Sequence, residues 1–204
     1  MRCVSLDLET TSLDPATGQI IEIGLVAVDT NSEKGIIGEY SAFVLPNGLN
    51  GRYVGEADAM FMHRGMIQEI HNLHMRGSID DRLIGENGII LSIVDHLQLW
   101  GFNTDKIVLA GKNIGGFDMR FLRATLFFDT YLERRISHRF LDVGPLSLRP
   151  SDMVVPDLPE CASRWQVPNP NPMSHRALDD ARVVANIILS WHRHGGVMPQ
   201  GEPS

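Results

Sequence analysis

Three strand-like segments precede every helical pattern in this chain, and that order limits the fold more than any other feature. Cys3 to Glu9 alternates, with Val4, Leu6 and Leu8 on one side and Cys3, Ser5, Asp7 and Glu9 on the other. Ile20 to Asp29 is β-branched and largely apolar, and Tyr40 to Leu45 is stopped by Pro46-Asn47-Gly48. Together they read as an antiparallel meander. Residues 66–74 and 86–100 then take helical spacing, the second run with Ile89, Ile90, Ile93, Val94, Leu97 and Trp100 on one side. Ile107 to Ala110 suits a strand buried on both faces, as in a parallel sheet. A helix follows from near Asp118, a strand at Phe140 to Val143, and a stiff proline-rich loop at 168–172. The last helix, Arg176 to His194, carries a stripe of Leu178, Ala181, Ala185, Ile188 and His192. The expectation is an α/β domain: a mixed sheet, meander first and parallel strands after, with helices on its faces.

Nothing in the composition disturbs this. At 204 residues, 43% apolar and 21% charged, the chain has core enough for one domain. We take residues 1–194 as that domain and 195–204, rich in Gly and Pro, as a flexible tail. The two cysteines, Cys3 and Cys161, form no zinc-type pattern and fit a reducing cytoplasm. Met1-Arg2 leads straight into the first strand without a signal peptide, and no apolar run is long enough for a membrane span. A net charge of −7 argues against charge-driven binding to long DNA. It is compatible with a carboxylate site whose bound cations reverse the local field.

Asp7 and Glu9 lie two apart on a strand, so they share a face with Cα atoms roughly 6.5–7 Å apart. Because Val4, Leu6 and Leu8 turn to the core, the pair is expected to open onto a cleft or solvent. Alone, it reads more simply as an acidic strand end before a turn. Asp118 follows Asn113-Ile114-Gly115-Gly116-Phe117, just beyond a buried strand, where α/β sheets gather ligands. Alone, it reads equally as a helix N-cap. Asp180 leans toward the apolar stripe of the last helix, while Asp179 faces solvent. His175 sits in the preceding loop and reads alone as a surface residue. Taken together, three segments bring carboxylates to sheet ends or helix starts, and one adds a histidine. Four carboxylates suit two hard cations, Mg²⁺ or Mn²⁺, about 3.5–4 Å apart, for phosphoryl transfer. A neutral histidine can take the proton from an attacking water.

These residues resemble the DEDDh, DnaQ-like 3′→5′ exonucleases on a ribonuclease H-like fold. Asp7-Leu8-Glu9-Thr10-Thr11-Ser12-Leu13-Asp14 matches the first motif, Asn113 to Asp118 the second, and His175 to Asp180 the third. The resemblance spans roughly residues 3 to 194. It implies that Asp7, Glu9, Asp118 and Asp180 bind metal and that His175 is the general base. It implies that the Thr10-Thr11 backbone holds a terminal 3′-hydroxyl, with Leu13 wedged against the base. Phe117 matches the aromatic before the second aspartate, and Ser12 stands where glycine is commoner. The five-residue step from Asn113 to Asp118, the stretch Arg139-Phe140-Leu141-Asp142-Val143 and the Asp179-Asp180 doublet resemble oligoribonucleases. His138 replaces the tyrosine they carry before that arginine. Met62 and His63 fall where the family places a second substrate wall.

The implied substrate is short single-stranded RNA, or DNA, released one nucleoside 5′-monophosphate at a time. A homodimer is compatible with the sequence without being required by it. The alternatives are a proofreading exonuclease beside a polymerase and a non-catalytic nucleic-acid-binding module. The methionines Met60, Met62, Met66 and Met75, and Trp100, Trp165 and Trp191, are expected in the core.

Overall fold

The computed structural model describes residues 1–46, 52–76, 82–103, 106–168 and 175–199. Its strands are β1 (Arg2–Thr10), β2 (Ile20–Asp29), β3 (Ile36–Leu45), β4 (Leu83–Gly85), β5 (Leu109–Gly111) and β6 (Leu141–Asp142). Its helices are α1 (Ala57–Met62), α2 (Arg64–Met75), α3 (Ile89–Leu99) and α4 (Asp118–Ala124). They continue with α5 (Val143–Leu146), α6 (Leu158–Arg164) and α7 (Ala177–Arg193). The sheet order is β4-β3-β2-β1-β5-β6. The meander β1-β2-β3 is antiparallel, and β5 and β6 join beside β1 in parallel. This is the ribonuclease H-like arrangement, meander first and parallel strands after. The short edge strand β4, parallel to β3, has no counterpart in the sequence pattern.

β1 therefore lies inside the sheet, and both of its faces are covered. Val4, Leu6 and Leu8 pack with Ile89, Ile93 and Leu97 of α3 and with Met119 and Leu122 of α4. Burying each such side chain contributes roughly 1.5–3 kcal/mol. Cys3 packs on the opposite face with Ala181, Val184 and Ile188 of α7 and Trp165 beyond α6. The polar-looking face of β1 is thus not open along its length, because α7 lies across it. Only its carboxyl end escapes, and there Asp7 is half-buried and Glu9 retains 9% exposure.

The methionines and tryptophans divide. Met66 and Trp165 are buried, whereas Met62 and Met75 are more than half exposed, and Trp100 and Trp191 are half-buried. The stripe of α7 ends at Ile188, and His192 is exposed. The proline-rich loop lies outside the described residues apart from Pro168. Among the described residues no helix is long and apolar enough to cross a membrane.

Candidate active site

The carboxyl end of β1 and the first turn of α7 meet through one glycine. Gly24 pairs with Asp7 in the β1–β2 register. A Cβ on Gly24 would lie 2.3 Å from the carbonyl of Ala177, the first residue of α7. The missing side chain is what lets the helix start rest on the sheet.

Glu22, two residues away and directly opposite Glu9, anchors that start. Its buried carboxylate accepts from Ala177 N at 2.9 Å and from Arg176 Nε at 3.0 Å. It does for α7 what a local N-cap side chain does elsewhere, because α7 has none of its own. Burial pushes the Glu22 carboxyl up, while the Ala177 hydrogen bond and Arg176 oppose the shift. His175, exposed, sits just before this anchor at φ 43°. Such left-handed backbone costs a non-glycine residue about 1–2 kcal/mol, and strain of this kind gathers at functional sites.

With α7 so placed, Asp7, Glu9 and Asp180 each present a carboxylate oxygen within 4.8 Å of the others. Asp118, 2% exposed at the start of α4, turns Oδ1 to accept from Leu8 N at 3.1 Å. Burial raises all four carboxyls, Glu9 to about 8 and Asp118 to about 7. Mutual repulsion adds to this at Asp7 and Glu9. The nearby His175 opposes it at Asp180. Buried carboxylates this close want positive charge between them. The one guanidinium lowering Glu9, that of Arg176, is already held by Glu22 and Glu69. An all-carboxylate donor set of this kind fits hard divalent cations.

The remaining candidates scatter around this centre. Thr10, the last residue of β1, and Thr11, the first of the turn after it, are both buried. Thr11 N donates to Gln19 O at 2.9 Å and its hydroxyl to Val54 O at 2.6 Å. Ser12 Oγ, also buried, donates to Glu56 at 2.9 Å, tying the turn to the start of α1. Leu13 stands 71% exposed at the turn's tip. Met62 is exposed at the end of α1. His63, the next residue, is not a surface group. It is 6% exposed, with Nε2 3.4 Å from Glu9 Oε2 and its ring edge-on to His175 at 6.4 Å. Burial lowers its pKa, and His175 adds to that. Asn113, at φ 58°, shapes the turn before α4, and the Phe117 ring meets Phe121 at 5.3 Å. His138 and Arg139 are exposed before β6, and no contact among the described residues joins them to the acidic group.

Sequence reasoning passed over Glu22 and Gly24. Both stood out as breaks in an apolar strand: a charge that burial obliges to find a partner, and a glycine that marks close backbone approach.

No family model matches the sequence. The chain is 30% identical over 199 residues to the PolC-type DNA polymerase III of Thermotoga maritima, covering 92% of this chain but 12% of the polymerase. It is 25% identical over 197 residues to the oligoribonuclease of Klebsiella pneumoniae subsp. pneumoniae, covering 93% of this chain and 92% of that one. Among solved structures, the nuclease domain of 3′hExo, a DEDDh family member bound to rAMP, superposes with a TM-score of 0.67. It shares 14% identity, covering 98% and 96% of the two chains. Escherichia coli exonuclease I in complex with a dT13 oligonucleotide gives a TM-score of 0.64 at 16% identity, covering 95% of this chain and 42% of that one.

The chain shares the fold of these solved nucleases and is similar in sequence to a PolC-type DNA polymerase III and to an oligoribonuclease. Its likeness reaches in two directions, to a small section of a polymerase and to nearly the whole of an oligoribonuclease.

Proposed function

We propose that this chain is a metal-dependent 3′→5′ exonuclease that releases nucleoside 5′-monophosphates from short single strands, oligoribonucleotides first. The observation that carries the reading is the convergence of Asp7, Glu9 and Asp180 beside buried Asp118, with His175 at the helix start that supplies Asp180. Asp7, Glu9, Asp118 and Asp180 would hold divalent cations, Mg²⁺ or Mn²⁺, which supply positive charge to the phosphate and its leaving oxygen. His175 accepts the proton of the attacking water. The bond broken joins phosphorus to O3′ of the penultimate nucleotide. The terminal residue departs with its 5′-phosphate, and the shortened strand keeps a 3′-hydroxyl. Leu13, exposed at the turn after β1, would abut the terminal base.

A time course on 5′-labelled RNA and DNA oligomers with Mg²⁺ or Mn²⁺ tests this. A ladder shrinking one nucleotide at a time from the 3′ end is expected, with a circular strand left intact. Cutting of the circle refutes the reading. A polymerase-associated proofreading role is the second reading, favoured by the PolC-type relative. Activity on short RNA that persists without any polymerase decides against it.

A further inference from the structure

We propose that the face of α2 continuing from the acidic cluster is a groove for the upstream nucleotides of the strand, reading phosphates and bases beyond the pair at the scissile bond. The proposal rests on the exonuclease reading of the cluster. A groove of about 490 Å³ runs along α2, lined by Arg52, Tyr53, Arg64, Gln68, His71 and His74. It starts beside the site, because His63, the residue before α2, touches Glu9. It lies at the same end of the sheet: Leu45, on its wall, closes β3 where Glu22 and Glu9 stand two and three strands over from β4.

The chemistry is that of a single-strand track. Arg64, Gln68, His71 and His74 recur at helical spacing, so one face of α2 offers a row of donors. From Arg64 to His74 the helix rises about 15 Å. That is room for on the order of four stacked nucleotides at ~3.4 Å each. The one acid of α2, Glu69, is roughly 140° around the helix from Arg64 and is taken by Arg82 and Arg176. Among the described residues Arg52, His71 and His74 make no ion pair, although the chain carries a net charge of −7. Unclaimed donors in an acidic protein suit an anionic ligand. Flat surfaces for bases are present as well. The Tyr53 ring is fixed by its hydroxyl donating to Val44 O. On α1, Phe61 is 68% exposed with the Arg64 guanidinium 4.2 Å above its ring. Aromatic and guanidinium faces accept any base by stacking.

The test is the double variant Arg52→Glu, His71→Glu, in which neither residue touches the acidic cluster. Two measurements are made on the full chain: kcat/KM for a ribodinucleotide and a ribo-octanucleotide, and anisotropy of a 5′-fluorescein octanucleotide in EDTA across a salt series. The octanucleotide kcat/KM is expected to fall at least tenfold more than that of the dinucleotide. The log–log salt slope should flatten by about 0.7, the value for the one phosphate that Arg52 no longer neutralises. Equal losses for both lengths, or an unchanged slope, overturn the groove. If the wild type degrades neither strand yet its octanucleotide binding shows this charge dependence, the groove stands and the exonuclease reading falls.

Discussion

Replacing Gly24 by alanine adds one methyl group at the point where α7 meets the sheet. The new Cβ would lie 2.3 Å from the Ala177 carbonyl, and comfortable contact begins near 3.4 Å. Helix and sheet must therefore part by about 1.1 Å, the difference of those distances. Neither neighbour is a flexible side-chain end; both are backbone. Overpacking of this kind costs roughly 1–3 kcal/mol. For a chain of this size that lowers the melting temperature by about 2–4 °C per kcal/mol. The catalytic penalty should be larger in proportion, because the displaced turn carries His175 and Asp180. A misplacement near 1 Å can cost on the order of 100-fold in rate. Gly24→Ala should thus melt roughly 2–12 °C lower yet remain folded, with kcat down about 100-fold on an oligoribonucleotide. Gly65→Ala on α2, where a Cβ meets nothing within 4 Å, is the control. A Gly24→Ala protein with wild-type kcat and a melting point within 1 °C would show that α7 does not need this contact.

His175→Ala should lower kcat by about 10²–10⁴-fold while keeping its Mn²⁺-induced rise in melting temperature; loss of that rise would make His175 a ligand instead. Asp180→Asn should lose both activity and the Mn²⁺ shift, whereas Asp179→Asn, whose carboxylate faces Arg182, should keep both when measured in parallel. In EDTA the melting temperature should fall as pH rises from about 4.5 to about 8. Glu9, with an ordinary value of 4.5, titrates near 8 in the folded chain, so the native state holds the extra proton across that window and its stability is lost as the proton leaves. Mn²⁺ should restore more at the top of the window than at the bottom; a melting temperature flat with pH in EDTA contradicts the raised carboxyls. Glu22→Gln should weaken the α7 anchor, and the expected mark is a lower kcat with a Mn²⁺ shift displaced to higher metal concentration.

The long, periodic elements were legible. Val4, Leu6 and Leu8 do share a core, and Ile89 to Leu97 do form one apolar helix face, because burial on one side leaves a period in the sequence. β1 misled in one respect. Ser5 and Asp7 look like a wet face, yet α7 covers it, since a polar residue under a helix start leaves the same letters as one in water. The short elements α1, α5 and β4 carry too few residues for a period. α6 did leave a signature: Asp157 accepts from Glu160 N at 2.9 Å, with Pro159 in the first turn. In the site, the acids that would touch metal stood out as motifs. The roles of Glu22, Gly24 and His63 were not legible: the first two were only breaks in an apolar strand and His63 only a substrate-wall candidate, because their partners lie far off in the chain and only the fold brings them near.

The anchor of α7 reaches back 155 residues, from Ala177 to Glu22. A chain made from its amino end exposes Asp7 and Glu9 early, on a sheet with nothing yet to complete it. Asp180 and His175 arrive only when the last helix is made and has docked on β2. During synthesis, then, the acidic group stays incomplete until the last helix docks, and the activity proposed for it would switch on only with that step.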